Sequence, residues 1–218
     1  MILGFHSVIL SHVVESLLMR GCEKAVKLLE ERILADGQVL PGEILKIDNF
    51  LNHQIDIELV DKLGEEFYRL FSDLDINKIL TVEASGISIA CAAARYFKVP
   101  VVFAKKGQHK NVSTDCYTSQ VFSYTKGISY EMFVSKAYLN SNDRVLIIDD
   151  FLANGAASFG MRELIEKAGA KLEGIGIAVE KGFQPGGKKL RDMGIRVRSL
   201  AIVDSMTDES VTFRADIV

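Results

Sequence analysis

The chain has 218 residues, 48% of them hydrophobic, and its 29 acidic against 26 basic side chains leave a formal charge of −3. That length and apolar content suffice for one domain with a sizeable core, and the charge excludes the overall basic field that non-specific nucleic-acid binding needs. Cys22, Cys91 and Cys116, like His6, His12, His53 and His109, fall in no C-x-x-C or H-E-x-x-H spacing, which argues against a disulfide framework or a protein metal site and fits a reducing cytoplasm.

Residues 1–18 are rich in Ile, Leu and Val, but His6, His12 and Glu15 interrupt them, with no positive n-region and no cleavage site. Neither a signal peptide nor a membrane span is expected there. They read as a helical appendage preceding a single domain over residues 19–218. From Cys22 to Ala35 apolar residues recur at helical spacing, and Asp36-Gly37 closes that helix. Leu40-Pro41-Gly42 turns the chain into a short strand at residues 44–47, residues 50–54 read as an irregular loop, and a second helix spans Ile57 to Phe71.

Beyond Asp75, strands at 78–82 and 99–104 enclose a helix at 87–97. This is a βαβ unit, whose right-handed crossover makes its strands parallel. A strand at 145–148, a helix at 156–168, a strand at 172–179, a helix at 186–193 and a strand at 197–203 follow. The order predicts an α/β fold, an open sheet of about five parallel strands flanked by helices. Residues 105–142 leave this pattern. Their β-rich runs at 117–124 and 130–135, separated by Thr125-Lys126-Gly127, predict an antiparallel flap inserted into the parallel core, and insertions of that length are usually functional.

The chemistry concentrates in Val145-Leu-Ile-Ile-Asp149-Asp150-Phe-Leu-Ala-Asn-Gly-Ala-Ala-Ser158. An apolar strand delivers two carboxylates, and a loop of small residues then opens a helix. Ala153, Asn154, Gly155, Ala156 and Ala157 leave backbone amides free to close around a phosphate. Asp149 and Asp150 would repel that phosphate unless they met another part of the ligand, and ribose hydroxyls are suitable donors. The pattern thus describes a ribose 5-phosphate; a Walker loop needs a Gly-Lys-Ser/Thr ending, and a dinucleotide turn has no carboxylate pair before it. The bland alternative is a pair of aspartates that end a strand and cap a helix.

This segment resembles the phosphoribosyl diphosphate (PRPP) signature of the type I phosphoribosyltransferases. Together with Leu45 to Gln54, Thr81 to Ile87, Val101 to Lys106 and Gly174 to Gly186, it makes residues 25–213 or so similar to the bacterial xanthine phosphoribosyltransferase subfamily. The resemblance implies the type I fold, with a small N-terminal hood over the sheet's carboxyl edge and a flexible flap. It implies a PRPP site at Asp149, Asp150 and residues 153–157, with purine contacts at Leu45, Asn52 and Lys181. Ser85 and Gly86, at a strand-to-helix junction, and Lys106, at the end of the next strand, fall where the diphosphate would lie. Magnesium bound with PRPP, a cytoplasmic homodimer and no nucleic-acid or membrane partner are further implications.

The implied reaction converts xanthine and PRPP to xanthosine 5′-monophosphate and diphosphate, a purine salvage step. Lys181 can only donate, which suits a 6-oxo purine and disfavours adenine, but does not separate xanthine from guanine or hypoxanthine. Lys181 as a solvated strand end and Asn52 as a turn former stay open as alternatives. A regulator that senses PRPP without catalysis would need an added DNA-binding domain, and no basic helix-turn-helix pattern precedes the core. One departure is visible: many relatives carry Arg before the lysine matching Lys106, where Lys105 stands here, a point charge in place of a fork.

Overall fold

A computed structural model describes residues 26–107, 115–123, 127–207 and 210–214. The appendage expected at 1–18, the start of the helix expected from Cys22 and the tip of the flap lie outside these described residues.

The first described helix, α1 (residues 26–36), buries Val26, Leu29 and Ile33 along one face. It stops at Gly37, whose N–H bonds back to the Ile33 carbonyl at 2.9 Å and where a Cβ would overlap that same carbonyl. Strands β1 (Gln38–Leu40) and β2 (Ile44–Lys46) then form an antiparallel hairpin, of which only the second strand was expected. Residues 50–54 are not an irregular loop: Asp48–Asn52 form a π-helical turn that buries Phe50 and Leu51. Helix α2 (Ile57–Phe71) matches its expectation, with the Asp56 carboxylate accepting from the Leu59 amide at 3.1 Å as its N-cap.

Among the described residues one sheet has eight strands: β3 (Lys78–Val82), β4 (Val101–Lys106), β5 (Cys116–Ser123), β6 (Ile128–Ser135), β7 (Arg144–Leu152), β8 (Lys171–Lys181), β9 (Val197–Thr207) and β10 (Ser210–Phe213). Their order is β10-β9-β8-β7-β3-β4-β6-β5. The run from β9 to β4 is parallel, the five-strand core predicted. Strands β7 and β8 continue past their apolar runs, because burial marks only the doubly covered middle of a strand whereas the polar ends still pair. Asp149 and Asp150 therefore lie within β7. Strand β4 starts later than predicted because Pro100 has no N–H to give the ladder; its carbonyl accepts from Ile79 instead. The flap strands β5 and β6 extend the sheet itself through Lys105↔Phe133 and Lys106↔Met132.

Helices α3 (Gly86–Phe97), α4 (Ala156–Lys167) and α5 (Pro185–Asp192) complete the layers. One apolar layer joins the hood, α2 and α3 to the sheet through Phe50, Phe67, Phe71, Ile79 and Ile148. The other joins α4, α5 and the flap through Leu80, Met132, Ile147, Met161 and Leu190. The α2 aromatics reach the sheet because β8 has glycines beneath them, Gly174 under Phe71 and Gly176 under Phe67. A Cβ at Gly176 would lie 2.7 Å from Ile148 Cδ1 and 2.8 Å from the Phe67 ring. Gly176→Ala should thus lower the urea midpoint at constant m by an amount worth about 1–3 kcal/mol; an unchanged midpoint would mean that the ring has room to move aside.

Candidate active site

The carboxyl ends of β3, β4, β7 and β8 meet beside the starts of α3, α4 and α5, the edge at which open α/β sheets hold ligands. Asp149 is 3% exposed there. Its Oδ1 accepts from the Asp150 amide at 3.1 Å. Gly86 opens α3 directly against it, and a Cβ at that position would lie 2.6 Å from Asp149 Oδ1 and overlap Thr81 Oγ1. That threonine hydroxyl is buried and finds no hydrogen-bond partner among the described residues. Burial raises the Asp149 carboxyl well above the usual carboxylate range, and the adjacent Asp150 charge raises it further; the Asp150 amide and the Lys106 charge act the other way. The buried carboxyl is thus held where its charged form is disfavoured until a ligand brings hydroxyl donors or positive charge.

The loop 153–157 follows at the end of β7. Gly155, at φ +85°, is the N-cap of α4, and a side chain there would press on Phe159 and the Gly186 Cα. Ala153 to Ser158 line a cavity of about 150 Å³ together with Phe122, Tyr130 and Phe151. Small side chains at the start of a 12-residue helix leave its first amides to face that cavity. The Gly186 amide of α5 supports the loop from behind, donating to the Ala153 carbonyl at 3.0 Å.

On the neighbouring strands, Lys106 and Lys105 separate to opposite faces, as consecutive strand residues must. The Lys106 amine stands 5.7 Å over the Tyr130 ring, and its charge reaches Asp149. Its backbone amide donates to Glu83 Oε1 at 2.6 Å. Lys105 lines a groove with Phe103 and Tyr138, so the lysine-for-arginine departure lies away from the carboxylate pair. Ser85 makes no side-chain cap to α3, and the peptide joining Glu83 to Ala84 is cis.

The predicted base contacts come to the hood side of this edge. Lys181 ends β8, and its Nζ donates to the Glu43 carbonyl in the hood hairpin at 2.6 Å. Burial lowers its pKa, with the Glu43 charge opposing. Asn52 leaves a buried Oδ1 without a hydrogen-bond partner among the described residues. Leu45, on β2, is 6% exposed and packs in the core cluster that also holds residues of α1 and α2. Sequence reasoning passed over Thr81, Tyr130 and Phe183. Phe183 carried a readable signal, an aromatic in the polar turn Lys181-Gly-Phe-Gln-Pro185, and it is partly exposed beside Lys181. Thr81 and Tyr130 carried none, since each looks like an ordinary strand residue.

The phosphoribosyl transferase domain family matches residues 46–206. The xanthine phosphoribosyltransferase of Ruminiclostridium cellulolyticum is 57% identical over 188 residues, covering 86% of this chain and 99% of that protein. That of Bifidobacterium adolescentis is also 57% identical, over 86% of this chain and 97% of its own. Among solved structures, the adenine phosphoribosyltransferase of Rhodothermus marinus superposes with a TM-score of 0.67 at 22% identity, covering 83% of this chain and 99% of that one; this likeness shows the shared fold. The carboxylate pair, the small-residue loop after it and these similarities agree, and the chain belongs to the phosphoribosyltransferase family, with the type I fold.

Proposed function

We propose that this enzyme transfers the ribose 5-phosphate of PRPP to a ring nitrogen of xanthine, releasing diphosphate and forming xanthosine 5′-monophosphate. The observation that carries the reading is the buried Asp149 carboxylate beside Asp150, one strand end away from an amide-lined cradle. The names borne by the bacterial relatives favour xanthine over the other 6-oxo purines.

In this mechanism the cradle of residues 153–157 receives the 5-phosphate and fixes one end of the substrate. Asp149 and Asp150 accept from the ribose hydroxyls, orienting the sugar and stabilising positive charge at C1 as the bond to diphosphate breaks and the bond to the base nitrogen forms on the opposite face. Lys106 and the open amides at Ser85 and Gly86 neutralise the departing diphosphate. Lys181 donates to the 6-oxo group, with donors to spare beyond the one given to Glu43. The flap, through Phe122 and Tyr130 over the cradle, excludes water that would otherwise hydrolyse the sugar phosphate. Magnesium carried in by PRPP would supply charge neutralisation at the diphosphate, with Asp149 and Asp150 as the acidic groups next to it. The residues suit such a substrate-borne ion, since Asp149 and Asp150 are an acidic pair beside the proposed ribose position.

We also propose a homodimer, through the open face of β4. There Val101, Phe103 and Tyr138, the last 64% exposed, line a largely apolar groove of about 640 Å³.

The Asp149 assignment couples activity to stability with a definite sign. Its folded pKa lies above its unfolded value, so stability falls as pH rises from the unfolded pKa to the folded one, and the deficit persists at neutral pH. Asp149→Asn should remove that deficit and raise the midpoint of unfolding at neutral pH, with little change at pH values below the ordinary aspartate range. It should meanwhile cost about 1.5–3 kcal/mol in kcat/KM for PRPP. Unchanged kinetics would remove the ribose role. For the base, Lys181→Ala should lower kcat/KM for xanthine by about 1.5–3 kcal/mol while leaving the poor use of adenine nearly unaltered. Equal losses for both bases, at saturating PRPP, would assign Lys181 to the fold or the phosphate instead.

A further inference from the structure

Glu180 is a buried carboxylate that the mechanism above does not use. It precedes Lys181 at the end of β8 and is 2% exposed. Arg191, in the last turn of α5, grips it with both ends of its fork, Nη1 to Oε1 and Nη2 to Oε2 at 2.7 Å each. Ser199 on β9 donates to Oε2 as well. Burial raises the Glu180 pKa, but these two donors outweigh it, so the carboxyl sits below its usual range and the pair stays ionised.

The pair does more than close a gap between a strand and a helix, because α5 is pressed between two parts of the site. At its first turn Gly187 lies so close to the Glu180 carboxylate and the Arg191 fork that any side chain there would overlap both. One residue earlier, Gly186 donates its amide to the Ala153 carbonyl, and a Cβ there would overlap the backbone of Ala153, Asn154 and Gly155. The turn leading into α5 is held by the Gln184 amide, which donates to the Lys181 carbonyl at 2.9 Å. An unbroken chain of contacts thus runs from Lys181 through Glu180, Arg191 and α5 to the loop 153–157.

We propose that Glu180, Arg191 and Ser199 are positioning residues, a strut that holds α5 against the phosphate cradle and sets it relative to Lys181. The proposal rests on the reading of residues 153–157 as the 5-phosphate site. A generic core ion pair would affect stability alone. A strut must also affect the cradle's grip on phosphate when stability is held constant. A buried pair can be exchanged for apolar residues of similar size with little stability cost, whereas removing one partner strands a charge.

The test is therefore the double variant E180L/R191M, with ribose 5-phosphate binding measured by calorimetry and steady-state kinetics with PRPP. The double variant should melt within about 4 °C of wild type, a shift worth roughly 1–2 kcal/mol for a chain of this size. It should bind ribose 5-phosphate about tenfold more weakly and show a matching rise in KM for PRPP, with a smaller change in kcat. Should the double variant melt early, Arg191→Lys, which keeps the charge and loses the fork, is judged by the same binding criterion. Ribose 5-phosphate affinity within twofold of wild type, in whichever variant retains its melting temperature, overturns the strut. Failure of wild type itself to bind ribose 5-phosphate removes the cradle reading, and the strut with it, and is a result distinct from equal binding by both proteins.

Discussion

Asp149 must stay buried, beside a second carboxylate and without a cation among its hydrogen-bond partners in the described residues, and the rest of the site is arranged around that constraint. A carboxylate out of water costs free energy unless donors meet it, and here the protein supplies one amide, from Asp150, with the Lys106 charge acting from a distance. Strand β7 tolerates this because its middle is locked between β3 and β8 by Leu146, Ile147 and Ile148, all fully buried. Stability stored in that apolar run holds a carboxyl at its end where ionisation is costly. The Thr81 hydroxyl nearby is buried and has no hydrogen-bond partner among the described residues. A ligand rich in hydroxyls would meet both needs at once.

Close backbone approach is the second requirement, and glycine meets it on each side of the pair. Gly86 lets α3 begin against Asp149, and Gly186 lets α5 begin against the cradle. Both clearances are narrower than a methyl group. A helix N-terminus can present amides to an anion only if nothing stands between them, and both glycines leave that approach clear of side chains. The same device serves the core, where Gly174 and Gly176 admit the α2 aromatics to the sheet.

The hood is tied to the sheet by a contact of mixed purpose. Lys181 spends one donor on the Glu43 carbonyl in the hairpin turn, which fixes the direction of its ammonium. Preorganised donors cost little reorganisation at the moment of reaction. Phe183, two residues on from Lys181, is partly exposed, and in the hood Asn52 Oδ1 is buried without a partner among the described residues.

Much of this was legible in the sequence because it is local. Apolar periodicity announces a strand or helix from its own residues, and the order of such elements restricts the topology, so the five-strand parallel core was predictable. The acidic pair and the loop of small residues are contiguous, and their chemistry follows from side-chain size and charge alone. What sequence reading could not reach depends on segments that meet only after folding. The flap's junction with β4, the π-helical turn at Asp48–Asn52 and the hairpins β1-β2 and β9-β10 are set by register and packing between distant stretches. The burial of Leu45 depends on α1 and α2 closing over it, and the Glu180–Arg191–Ser199 cluster on a helix and two strands converging. Local pattern determined which elements and which chemistry this chain carries; tertiary packing decided which polar groups face one another, because a hydrogen bond or a desolvated charge is a property of two surfaces in contact.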